Sequence, residues 1–138
     1  MEIREDVRDV GVYLYLREQV GWRELTREQA QMALNHSAKI FTVYDEEKPI
    51  GMGRVVSDMA VVSYIQDLIV IPEYQSLRIG SMLIDHIIDY VESITIPGTR
   101  MMLDLMCAKG REGFYKKHGF IARPNDDLGP GMIQYIQK

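Results

Sequence analysis

Residues 67 to 84 read DLIVIPEYQSLRIGSMLI, and the changes of character inside that stretch decide the fold. An apolar strand runs to Ile71, where Pro72 removes an amide donor and holds the preceding residue extended. A short polar loop follows, Gly80 interrupts it with a small residue, and the first turn of an amphipathic helix begins. Loop amides that open onto a helix N-terminus converge on whatever sits there, and the helix dipole adds about half a positive charge. A phosphate or pyrophosphate is the natural occupant.

Working outward, Ile79, Leu83, Ile87, Tyr90, Val91 and Ile94 trace one face of a helix, and Pro97-Gly98 ends it. Residues 100–107 read as the next strand, so strand, helix and strand make a right-handed crossover with two parallel strands. Upstream, period-two patterns over 40–44 and 50–56 flank the polar run at 45–49 as a hairpin, and residues 60–71 form a longer, mostly apolar strand inside the sheet. Helical spacing of Val7, Val10, Leu14 and Val20 predicts a first helix over 6–20 after a short extended start. Thr26 with Gln29 is a capping-box pair for a second helix reaching about residue 37. Residues 110–118 read as a short helix stopped by Gly119, with closing strands over 120–123 and 132–137. The fold class is α/β, a central mixed sheet, mostly antiparallel with one parallel strand pair, with helices on both faces.

The chain has 138 residues, 46% hydrophobic and 26% charged, which is the scale of one domain with a sizeable core. A net charge of −4 with scattered cations speaks against nucleic-acid binding, and no apolar run spans a membrane. Acidic residues at positions 2, 5, 6 and 9 break any secretory pattern, so a cytoplasmic location is expected. The single cysteine, Cys107, fits a reducing compartment and reads as a small buried hydrophobe. His36, His86 and His118 are dispersed, and no metal site is expected.

Two segments carry a resemblance. V-I-P-E-Y-Q-S-L-R-I-G over 70–80 is similar to the acetyl-CoA loop V-x-P-x-x-Q/R-x-x-G-x-G/A of the GNAT N-acetyltransferase superfamily, and F-Y-K-K-H-G-F over 114–120 is similar to its F-Y-x-x-x-G-F segment. The order of elements also resembles that family over nearly the whole chain, as a single N-acetyltransferase domain spanning 1–138. The resemblance implies acetyl-CoA as co-substrate, direct transfer to a primary amine of a small molecule with both substrates bound, and no membrane or nucleic-acid partner. A homodimer is the family's frequent arrangement. A non-catalytic acyl-CoA sensor or interaction protein, and a protein or peptide N-acetyltransferase, stand as alternatives.

For the residues, the resemblance implies that Gln75, Ser76, Leu77, Arg78, Ile79, Gly80 and Ser81 hold the pyrophosphate, with Ile69, Val70 and Ile71 leading into the loop. Arg78 departs from the pattern, because the family usually has glycine there. A left-handed backbone at that position costs an L-residue on the order of 1–2 kcal/mol, while the guanidinium can reach the phosphates. Polarisation of the thioester carbonyl falls to the amide of Ile69 or Val70. Asp67, out of place among Ile65, Leu68 and Ile69, reads either as the base that takes the amine's proton or as a buried carboxylate paired with an arginine or amide. Strand alternation puts Gln66 on the opposite face from Asp67. Tyr115 matches the tyrosine that protonates the departing thiolate. Trp22 and Asp104 are expected to bind the acceptor, beside the acidic loop 125–131.

Overall fold

The structure, a computed structural model, describes residues 1–138. It divides into two compact units, Met1–Leu105 and Met106–Lys138.

In the first unit the elements run β1 (Glu2–Glu5), α1 (Val10–Gln19), α2 (Arg27–Asn35), β2 (Lys39–Asp45), β3 (Lys48–Ser57), β4 (Val62–Val70), a 3-10 turn (Pro72–Tyr74), α3 (Ile79–Ile94) and β5 (Met102–Leu105). The sheet order is β1-β2-β3-β4-β5; only β4 and β5 pair in parallel. That is the expected mixed sheet with one parallel pair. α1 starts later than the periodicity suggests, because Asp9 caps it by accepting from the Val12 amide at 3.0 Å, while Asp6 turns the chain with a left-handed φ of 56°. Thr26 caps α2 as read, its hydroxyl accepting from the Gln29 amide at 3.0 Å.

α3 packs Ile79, Leu83, Ile84, Ile87 and Val91 against one face of the sheet. A Cβ added to Gly53 would sit 2.7 Å from Ile87 Cδ1, which places α3 on the Gly53 side. Arg54, the next residue, donates to Ser37 Oγ at 3.2 Å and to the Ala33 carbonyl at 3.5 Å, so α2 covers the other face. Tyr13, Leu16, Ala30 and Leu34 complete the core there.

In the second unit α4 (Glu112–Lys117) is the short expected helix. The closing strands over 120–123 and 132–137 do not form: no strand follows β5 in the chain. Strand propensity is realised only when a partner ladder accepts it. Met132, Ile133, Tyr135 and Ile136 are instead exposed. Cys107 is exposed as well, against the expectation of burial. Residues 125–128 close into a turn, with Asn125 Oδ1 accepting from the amides of Asp127 and Leu128 at 2.9 and 2.8 Å.

Candidate active site

β4 carries the central irregularity of the sheet. Its register against β3 pairs Gln66 with Arg54 and Ile69 with Met52, so two residues, Asp67 and Leu68, face the single Gly53. This is a β-bulge, and Asp67 at its head has a φ of 60°, which kinks the strand. Directly opposed residues share a face, so Gln66 lies on Arg54's side of the sheet, and Arg54 bonds Asp67 there. Gln66 and Asp67 therefore occupy one face. The bulge overturns the expectation of opposite faces, which holds only for an unbroken pleat.

Asp67 is wholly enclosed, and each of its oxygens is taken. Arg17 Nη1 donates to Oδ1 at 2.7 Å, Arg54 Nε donates to Oδ2 at 3.0 Å, and the Tyr13 hydroxyl donates to Oδ2 as well. Burial first, then the Asp67 charge, pushes the Tyr13 phenol up to about 12, which keeps it a donor. The arginine side chains are themselves only 12% and 10% exposed. Arg17, Arg54 and Tyr13 were not foreseen. Their signal was available: Tyr13 and Arg17 are four apart on one helix face, and Arg54 interrupts the apolar strand Ile50 to Val56 one strand away from an equally displaced acid.

Arg17 also ties the loop after α1 to this cluster. Its Nη2 donates to the Arg23 carbonyl at 2.9 Å, and its guanidinium carbon lies 5.5 Å from the Trp22 ring centroid. Trp22, 40% exposed, is thus joined to Asp67 through one side chain.

Two residues before the kink, β4 loses its parallel partner. The ladder with β5 runs from Val62–Met102 to Ile65–Leu105 and stops. The Ile71 amide donates to the Ile50 carbonyl at 2.9 Å, so by alternation the amide and carbonyl of Val70 face away from β3, into the opened seam. The Val70 carbonyl accepts from Gln75 Nε2 at 3.0 Å, a side chain standing where a strand would otherwise bond. Ile69 directs its amide toward β3, leaving Val70 as the outward donor.

The loop beyond Pro72 holds two residues in left-handed backbone. Ser76 and Arg78 both adopt left-handed backbone, with φ of 70° and 62°, and Arg78 is the residue before α3, whose N-terminus has no side-chain cap and no acid in its first turn. A left-handed residue followed directly by helix turns successive amides into a concave nest. Arg78 holds a conformation suited to glycine, and its side chain is exposed. Uncapped amides, absence of a competing carboxylate and an adjacent arginine fit a diphosphate.

Asp104 lies on β5 in register with Tyr64, on the face shared by Gln66 and Asp67. Its Oδ1 is buried and accepts no hydrogen bond, and burial pushes its carboxyl above the ordinary aspartate range. In the second unit, the Tyr115 ring packs edge-on against Phe114 and Phe120 at 5.0 and 5.8 Å, and its phenol is pushed up by burial first and by Cys107 second.

A kinked strand parted from its parallel neighbour, followed by an uncapped loop and helix, defines an acyl-CoA N-acyltransferase architecture. The chain matches the acetyltransferase (GNAT) family over residues 10–120 and belongs to that family. An N-acetyltransferase named ycf52 from the alga Pyropia yezoensis, uncharacterised, is 29% identical over 133 residues, covering 91% of this chain and 73% of that one. A probable acetyltransferase from Staphylococcus aureus, SA2161, superposes with a TM-score of 0.84 at 30% identity, over 97% of this chain and 98% of that one. The GNAT family protein SP0256 from Streptococcus pneumoniae gives 0.83 at 28% identity, over 99% and 98%. The chain is accordingly an acyltransferase. No helix is long and apolar enough to cross a membrane.

Proposed function

We propose that the protein transfers an acetyl group from acetyl-CoA to a primary amine of a small molecule, by direct attack with both substrates bound. The observation that carries this is the juxtaposition of the opened β4–β5 seam with the uncapped α3 N-terminus, reached through the short turn that follows β4. Acetyl-CoA supplies an activated thioester carbonyl.

The chain's own residues do the rest. Amides from Ser76 to Ser81, with the Arg78 guanidinium, hold the diphosphate; the Gln75 amide, expected to join them, instead donates to the Pro72 carbonyl at 3.2 Å and closes the turn. The Val70 amide, turned into the seam, donates to the carbonyl oxygen, where a preorganised donor is worth several kcal/mol (about 3–4) in the transition state. Asp67 is the ion-pair anchor, its oxygens engaged by two arginines and a phenol, and it fixes the kink that points Val70 outward. Trp22, held by Arg17, lines the acceptor side together with Asp104. Tyr115, kept protonated by burial, gives its proton to the leaving thiolate.

Two measurements test this reading. Calorimetry of the purified chain with acetyl-CoA is expected to show saturable binding, and an amine panel of spermidine, lysine amide, tyramine and kanamycin is expected to yield thiol release with at least one member. Absence of acetyl-CoA binding overturns the proposal.

A further inference from the structure

A lysine-like amine with a pKa near ~10.4 is almost wholly ammonium at neutral pH, and freeing it for attack corresponds to roughly 4–5 kcal/mol. The reaction therefore gains from a carboxylate with an open lone pair beside the seam. Asp67 is not placed to offer one, since its side chain is wholly enclosed and both oxygens already accept from Arg17, Arg54 and Tyr13. Resting on the acetyl-transfer reading above, we propose that Asp104, standing one residue before the β4–β5 ladder ends and bearing a buried oxygen with no partner, is the proton acceptor for the incoming amine.

The placement follows from register. Asp104 opposes Tyr64, so it shares the face of Gln66 and Asp67, where α1 and the Trp22 loop lie. The ladder ends at the next pair, Ile65 with Leu105, and the outward Val70 edge opens beyond it. On its own strand the neighbours are Leu103 and Leu105, both apolar. From β4 the facing groups are the Tyr64 phenol and the Gln66 amide, and the nearest charges along that face belong to Asp67 with Arg17 and Arg54. A buried polar atom ordinarily finds a partner, and an orphaned carboxylate oxygen is a site of stored cost. An ammonium or its proton satisfies it. Burial alone raises this carboxyl, which brings it toward the amine it is to deprotonate.

Protons balance as follows. The acceptor ammonium gives one proton to Asp104, which passes it to solvent after turnover. The neutral nitrogen forms the C–N bond as the C–S bond breaks, and its second proton leaves to water. The thiolate takes its proton from Tyr115, which recovers it from that water.

Asp104→Asn keeps the shape and removes the basic lone-pair charge, and Asp104→Glu restores it with an altered reach. The assay is thiol release from acetyl-CoA with the best alkylamine of the panel and, in parallel, with hydroxylamine, a small nucleophile that is largely neutral at pH 7. Asp104→Asn is expected to lower kcat/KM for the alkylamine about 100-fold or more and to change the hydroxylamine rate less than about 3-fold. The acid limb of the kcat/KM profile should vanish, Asp104→Glu should recover part of the rate, and acetyl-CoA affinity should stay unchanged. Melting should show equal or greater stability, because an unpaired buried charge has been removed. An alkylamine rate close to wild type, or equal loss with both nucleophiles, overturns the assignment. Wild type that fails to bind acetyl-CoA overturns the function itself, a result distinguishable from an active enzyme indifferent to residue 104.

Discussion

Replacing Asp67 with asparagine isolates charge from shape. Asparagine tolerates the left-handed φ of 60° at this position, so the kink itself is not penalised. What disappears is the anion between Arg17, 2.7 Å from Oδ1, and Arg54, 3.0 Å from Oδ2. Removing one partner of a buried pair costs about 3–5 kcal/mol, because the other charge is left enclosed. Here one substitution strands two guanidinium groups, each close to nine-tenths buried, while the remaining amide oxygen can still accept one of the three donors. A loss near the lower end, about 3 kcal/mol, is expected. With an unfolding entropy of roughly 2.1 cal/mol/K per residue over the 138 residues, that corresponds to a fall in melting temperature of about 10 °C. Differential scanning calorimetry at pH 7 measures it, with kcat and KM for the alkylamine taken below the transition. A shift under about 2 °C accompanied by a 100-fold loss of kcat and of its acid limb refutes the reasoning, since that pattern belongs to a proton acceptor and not to a structural anion.

Three further outcomes are expected. Tyr115→Phe should lower kcat about 10- to 100-fold with acetyl-CoA affinity unchanged; because the phenol's pKa is raised and its protonated form is the active one, wild-type kcat should persist through pH 10 and fall only above it, a limb the variant lacks. Arg78→Gly should relieve left-handed strain and stabilise the fold by roughly 1 kcal/mol, while weakening acetyl-CoA binding several-fold by calorimetry, because the cation at the nest is gone. Gly51→Ala should destabilise by about 1–3 kcal/mol in chemical denaturation, since the new Cβ would lie 2.8 Å from the Ile69 carbonyl oxygen, a backbone atom that cannot yield without disturbing the ladder beside Val70.

Much of the fold was readable because its signals are local. The Thr26 cap, the Pro72 stop and the apolar face of α3 are each settled within a few residues. The strands expected over 120–123 and 132–137 were not settled that way, since alternation says only that a segment can pair. The site divides along the same line. Arg78's backbone could be anticipated from a loop that demands a left-handed residue, whereas the Asp67 clamp depends on contacts 13, 50 and 54 residues apart in sequence. Asp67 was legible as an anomaly and open in its meaning. Gln66 was misplaced for a different reason: a bulge leaves no mark in a two-residue period until the partner strand is known.

The bulge in β4 amounts to one surplus residue. Gln66 and Ile69 already sit opposite Arg54 and Met52, which are separated by Gly53 alone, so excising Asp67 would give a ladder with matched counts on both sides and no change in which face the flanking side chains take. A straightened strand would be free to zip onward with β5, and the cleft where transfer is meant to occur would close. The molecule thus carries an unmatched link in the sheet beside the parted strands, wedged in place by paired charges.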